Sequence, residues 1–140
     1  MKNAHGIVER TVLALAFVLS LSSTAFANAS NNDEATQITA AMKLYAEAGP
    51  MQLQDKKRAE ILDQAASILN KVIEKNPKSL DAHRKLMGVY LLKQDYSNGI
   101  RTMQGAITLS PEDPKLFIGL AFLYEHSGGL QYAKAMLNQA

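Results

Sequence analysis

Shifting the chain against itself by 34 residues lays like on like. Pro77 falls on Pro111, Leu86 on Leu120 and Tyr90 on Tyr124. Three sets of three follow the same interval: Leu69, Met103 and Leu137; Ala65, Gly99 and Ala133; Val72, Ala106 and Ala140. Small residues recur where small ones stood and large apolar ones where large ones stood, which chance apolar composition would not preserve. Such a period marks a row of supersecondary units, none able to cover its own apolar face, so that neighbours must stack.

Each unit reads as two helices. Ser79 is a good N-cap for a helix over about 80–93, with apolar Leu80, Leu86, Met87, Tyr90 and Leu91. The turn Gln94-Asp95 leads to a second helix over about 96–109, carrying Tyr96, Ile100, Met103, Ala106, Ile107 and Leu109, and Pro111 stops it. The last unit repeats the plan with a helix over about 113–126, a Ser127-Gly128-Gly129 turn and a helix from Leu130 onward. Turns this short force the two helices of a unit to lie antiparallel. Small Gly99, Ala106, Ala121 and Ala133 suit the helix crossings, where axes come within about 8–10 Å. Mid-helix Gly105 has no such explanation and should cost about 1 kcal/mol against Ala.

The pattern resembles the tetratricopeptide repeat (TPR), whose period is 34 residues with W-x2-L-G-x2-Y, then A-x3-F, then P. The central unit offers Leu86-Met87-x2-Tyr90, Gly99-x3-Met103, Ala106 and Pro111; the last offers Phe117-x2-Leu120-Ala121-x2-Tyr124, Ala133-x3-Leu137 and Ala140. His83 stands where the family has a large aromatic, and Met87 where it has a small residue, which predicts a slightly wider helix contact. The resemblance covers about residues 60–140 and implies an all-α, right-handed solenoid of antiparallel helix hairpins, about two and a half to three repeats.

The first hairpin, 35–77, is irregular. Residues 61–76 follow the second-helix pattern, but Gly49-Pro50 breaks the place of its partner, and an apolar helix falls earlier, over 35–48, with Ile38, Ala41, Met42 and Tyr45. A loop through Gly49-Pro50-Met51 and a long helix over about 54–75 complete it. The regular repeat 80–113 and an incomplete repeat 114–140 follow.

Ahead of these, Lys2 and Arg10, the apolar block Thr11–Leu21 and Ala25-Phe26-Ala27 have the three-part layout of a secretory signal peptide over 1–27, with an uncleaved anchor as the alternative. The block is about half of what a spanning helix needs. Cleavage leaves 113 residues, one domain by length, beginning with a polar leader at 28–34. From Asn28 onward 13 Lys and Arg nearly balance 12 Asp and Glu, so no basic footprint for nucleic acid exists. The chain has no cysteine, which excludes a lipidated N-terminal Cys, a thiol nucleophile, a c-type haem attachment and disulfides. A bacterial periplasmic location is the expectation, without stable membrane insertion once the signal is removed.

Two surfaces are candidates for function. Leu116–Tyr124 reads LFIGLAFLY, nine residues with no charge or amide. A helix apolar nearly all round is buried on more than one side. The resemblance implies that first helices line a concave groove, with Arg84, Gly88 and Leu91 of the central unit and Lys115, Ile118, Phe122 and Glu125 of the last pointing into it, and with Phe117, Leu120, Ala121 and Tyr124 on the core side. Leu91, Ile118 and Phe122 would form an apolar floor for an apolar or amphipathic peptide, Arg84 and Lys115 the positive rim. The same apolar residues would alternatively contact the N-terminal helix or a second subunit. The second surface is an exposed C-terminal face of Leu130, Ala133, Met136 and Leu137, which no following helix covers up to Ala140; it would dock on another chain or continue in a longer array.

Catalytic chemistry finds no support. His83 and His126 lack ligands at metal spacing, Ser110 and Ser127 lack an adjacent base, the methionines sit at core-like positions, and Lys56-Lys57-Arg58 reads as a solvated helix start. No metal or cofactor is expected. The expected role is a non-enzymatic protein–protein interaction module, an adaptor or scaffold in an envelope complex. The alternatives are an assembly chaperone for an envelope protein such as an apocytochrome c, or a structural subunit that self-associates through the C-terminal face.

Overall fold

A computed structural model of the chain describes residues 33–140. The expected signal peptide and most of the leader lie outside the described residues. Six helices follow in order: α1 over 33–48, α2 Lys56–Lys75, α3 Leu80–Lys93, α4 Tyr96–Leu109, α5 Pro114–His126 and α6 Leu130–Leu137, with no strand among the described residues. The fold is an all-α, TPR-like row of antiparallel hairpins. Each helix packs on the next from α2 to α6, and α3 also touches α5, so the first helix of one repeat lies against the first helix of the next.

Local chemistry places the boundaries. Asp55, Ser79, Asp95 and Asp113 each accept a hydrogen bond from a backbone N–H in the first turn of the following helix, and Pro114 occupies the first turn of α5, where no donor is missed. Asp113 is therefore the cap of α5 and not its first residue. Two ends differ more from expectation. Helix α1 is already formed at Asp33, and α6 stops at Leu137 short of Ala140.

The 34-residue interval reappears in the hydrogen bonding. At the α3–α4 junction Gln94 N donates to Leu91 O (3.0 Å) and Asp95 N to Tyr90 O (2.9 Å); at α5–α6 Gly128 N donates to Glu125 O (3.1 Å) and Gly129 N to Tyr124 O (2.7 Å). Gln94 and Gly128 both take the left-handed conformation that closes such a turn, φ 60° and 85°. Side chains repeat as well. Asn70 Nδ2 donates to the Tyr90 hydroxyl (3.3 Å), and one period on, Gln104 Nε2 donates to the Tyr124 hydroxyl (3.5 Å). The two tyrosines occupy equivalent environments.

Packing runs in two continuous clusters. Ile38, Ala41 and Ala48 of α1 join Ile61, Leu62, Ala65 and Leu69 of α2 and Ala82, Leu86 and Val89 of α3; Met103 and Ala106 of α4 join Leu116, Leu120 and Leu123 of α5. Gly99 sits where α4 crosses α5: a Cβ there would lie 2.9 Å from Leu123 Cδ2. The oversized Met87 faces Gly119, where a Cβ would come 3.5 Å from its terminal methyl. Gly105 has no close neighbour, its nearest being His83 Nε2 at 3.9 Å.

Candidate functional site

The apolar run of α5 divides between inside and outside. Leu116, Leu120, Ala121 and Leu123 are buried, whereas Ile118 is 51% and Phe122 45% exposed. The inward stripe differs from expectation in detail. Leu116 and Leu123 are completely covered, while Phe117 and Tyr124 are only half-buried. The reason is that α5 fits between α4 on one side and α6 on the other, which centres its buried arc on 116, 120 and 123.

Phe122 stands between two cavities. One, of ≈ 320 Å³, lies in the α5–α6 hairpin and is lined by Ile118, Phe122, Glu125, Leu130, Lys134 and Leu137, with Ala121 and Ala133 as further walls. The other, of ≈ 300 Å³, is lined by Tyr45 of α1, Leu53, Arg58 of α2, Leu91 and Leu92 of α3, Gln94, Tyr96 of α4, and Phe122 and His126 of α5. Phe122 is held in place by His126: their ring centroids are 4.1 Å apart, His126 Nδ1 lies 2.9 Å from the Phe122 carbonyl oxygen, and Tyr96 flanks the same imidazole at 6.3 Å.

The residues expected to form a groove are thus partly assembled. Leu91 and Phe122 share one cavity, Ile118, Phe122 and Glu125 the other. Gly88 faces open space, with nothing within 4 Å of where a Cβ would stand, and Lys115 is exposed but lines neither cavity. Arg84 is a correction. Its guanidinium is ion-paired with the carboxylate of Asp113, the same group that caps α5, so it adds little free positive charge to a rim.

The C-terminal face also needs correction. Leu130 and Leu137 are well exposed, joined by Tyr132, but Ala133 is 7% exposed and Met136 is half-buried against the second core cluster. Ala133 occupies the small-residue crossing position that Ala65 and Gly99 occupy in the preceding hairpins, so it turns toward α5. The two surfaces expected separately meet: Leu130 and Leu137 border the same cavity as Ile118 and Phe122.

Arg58 was missed by the sequence reading. Lys56 and Lys57 are solvated, but Arg58 is 6% exposed, and its Nη2 donates to the Leu92 carbonyl at 2.7 Å. The signal was present in the helical period: Arg58 precedes Ile61, Leu62 and Ala65 by three, four and seven residues, on the apolar stripe itself.

No protein-family model matches the chain, and no curated protein matches it. Among solved structures, MamA AMB-1 and the MamA D159K mutant are similar, each with a TM-score of 0.53 and 24% identity, over 59% of this chain and 45% of theirs. The matched part spans less than half of the MamA chain. MamA is a TPR-like helical repeat protein, and the likeness bears on the fold. No helix among the described residues is long and apolar enough to cross a membrane.

Proposed function

We propose that the protein is a non-enzymatic interaction module that takes an apolar or amphipathic segment of a partner protein across the surface centred on Phe122. The observation that carries this reading is one half-exposed aromatic ring walling two cavities, with Leu91 on one side and Ile118, Leu130 and Leu137 on the other. Soluble proteins seldom leave such residues contiguous without a use for them. Covering the exposed half of Phe122 is worth about 1 kcal/mol, and micromolar affinity needs about −8 kcal/mol, so several anchors must act together. The two cavities side by side provide room for that. We place the module in the bacterial periplasm after cleavage following Ala27, as an adaptor or scaffold in an envelope complex. An apoprotein client of an assembly pathway would use the same surface.

A photo-crosslinker at Ile118 in living cells tests this. Phe122→Glu should cut the crosslinking yield about tenfold, with the helical circular dichroism unchanged. Equal yield from the Glu variant would place the contact elsewhere. N-terminal sequencing of the cellular protein checks the processing site, where Asn28 is expected as the first residue.

A second reading, self-association through α6, is favoured by the exposed Leu130, Tyr132 and Leu137. It predicts a sedimentation coefficient that rises with concentration and returns to the monomer value in Leu137→Glu.

A further inference from the structure

Among the described residues, two arginines with a buried, unpartnered Nε have unlike surroundings. Both Arg58 Nε and Arg84 Nε are closed off from water without a hydrogen-bond acceptor. Arg84 is compensated, because the Asp113 carboxylate pairs with its guanidinium. Arg58 has no carboxylate partner among the described residues; its one hydrogen bond is to the carbonyl of Leu92, in the last turn of α3. The C-terminal end of a helix offers only about half a negative charge, in place of a full one. A guanidinium this deeply buried lacks a counter-ion among the described residues.

Arg58 also lines the cavity of ≈ 300 Å³ beneath Phe122. The remaining walls come from Tyr45, Leu53, Leu91, Leu92, Tyr96 and Phe122, with Gln94 and His126 as further polar members, and none is a carboxylate. A buried cation in a cavity walled mostly by aromatic and aliphatic side chains, with no carboxylate among them, is matched by an anion borne on an apolar body. The planar fork of a carboxylate fits a guanidinium edge with two parallel hydrogen bonds.

We propose that this cavity binds a carboxylate carried on an aromatic or aliphatic group, with Arg58 as its counter-ion and the Tyr45, Tyr96 and Phe122 rings enclosing the apolar part. Such a group is found at the end of a peptide chain closing on a large apolar residue, and in small arylalkanoic acids. The proposal deepens the reading of Phe122 as the centre of a partner-binding surface and rests on it for the peptide source alone.

Four probes separate the possibilities: an acetylated tripeptide ending in Leu-Phe with a free carboxylate, the same peptide as its C-terminal amide, 3-phenylpropionate and 3-phenylpropanamide. Binding is followed by NMR through the Arg58 Nε–H resonance and the amides of Tyr45, Tyr96 and His126. Each acid should bind at least about tenfold more tightly than its amide, shift the Arg58 Nε–H signal, and lose that preference in Arg58→Met. Tighter binding of the peptide acid than of 3-phenylpropionate assigns the site to a chain end; the reverse assigns it to a small acid. Equal affinity of acid and amide overturns the proposal while leaving an apolar peptide surface in place. Absence of binding by all four at millimolar concentration overturns it too, and the Phe122→Glu crosslinking result then decides the broader reading separately. Should Arg58→Met fail to fold, the acid–amide comparison on the unaltered protein still decides.

Discussion

Replacing Gly99 by Ala and Leu123 by Ala, singly and together, tests whether the repeat is a packing device or only a resemblance in spacing. At Gly99 an added Cβ would lie 2.9 Å from Leu123 Cδ2, and Leu123 is fully buried and cannot swing into solvent. Two effects oppose each other in Gly99→Ala: a helix-propensity gain of about 1 kcal/mol and an overpacking cost of about 1–3 kcal/mol. The net expectation is destabilisation by about 1 kcal/mol. Leu123→Ala leaves a hole between α4 and α5 and should cost about 3 kcal/mol. Independent sites would give about 4 kcal/mol for the pair. In the double variant, however, the overlapping Cδ2 is gone, the new methyl partly fills the hole and the propensity gain remains, so the cost should be about 2 kcal/mol. The coupling, about 2 kcal/mol in favour of the pair, is read from urea unfolding followed by far-UV circular dichroism, with the slopes checked for constancy. Additivity within about 0.5 kcal/mol would refute the claim that small residues at this interval exist to let helices meet.

Other expectations follow from the same geometry. Gly105→Ala meets nothing nearer than His83 Nε2 at 3.9 Å and should stabilise by about 0.5–1 kcal/mol, raising the urea midpoint. Gln94 holds φ 60° without being glycine, so Gln94→Gly should stabilise by up to about 1 kcal/mol, whereas Gly128→Ala at φ 85° should cost about 1–2 kcal/mol; opposite signs at positions one period apart are the diagnostic result. Asp113→Ala removes both the α5 cap and the partner of Arg84. With the Arg84 side chain 39% exposed the ion pair adds little, and the loss should be about 1–2 kcal/mol, of which Asp113→Asn recovers the cap portion.

Much of the fold was legible in short-range chemistry. Helices α3 and α4 begin and end where Ser79, Gln94-Asp95 and Pro111 said they would, because capping and chain reversal depend on a few adjacent residues. The equivalence of Tyr90 and Tyr124 was legible for the same reason, since one unit's sequence is compared with the next. Ala133 was harder: as a small crossing residue and as part of a free face it had two incompatible readings, and only the position of α5 selects between them. Arg84 looked like a free cation because its partner Asp113 lies 29 residues away along the chain.

The interval of the repeat and the pairing of helices belong to the sequence alone, since capping, turns and spacing are read along the chain, whereas the residues of LFIGLAFLY that form the inner arc are fixed by how α5 sits between α4 and α6. How deep a face is sunk, and what meets it, belong to the tertiary structure. Arg58 differs from Lys56 and Lys57 by no local rule except its place on a stripe; it is buried because α3 ends above it and Leu92 offers a carbonyl. Likewise Phe122 joins two cavities only because α1, α2, α3, α4 and α6 all end or pass near one turn of α5. Periodicity is a one-dimensional quantity, whereas a cavity is closed by residues far apart in the chain.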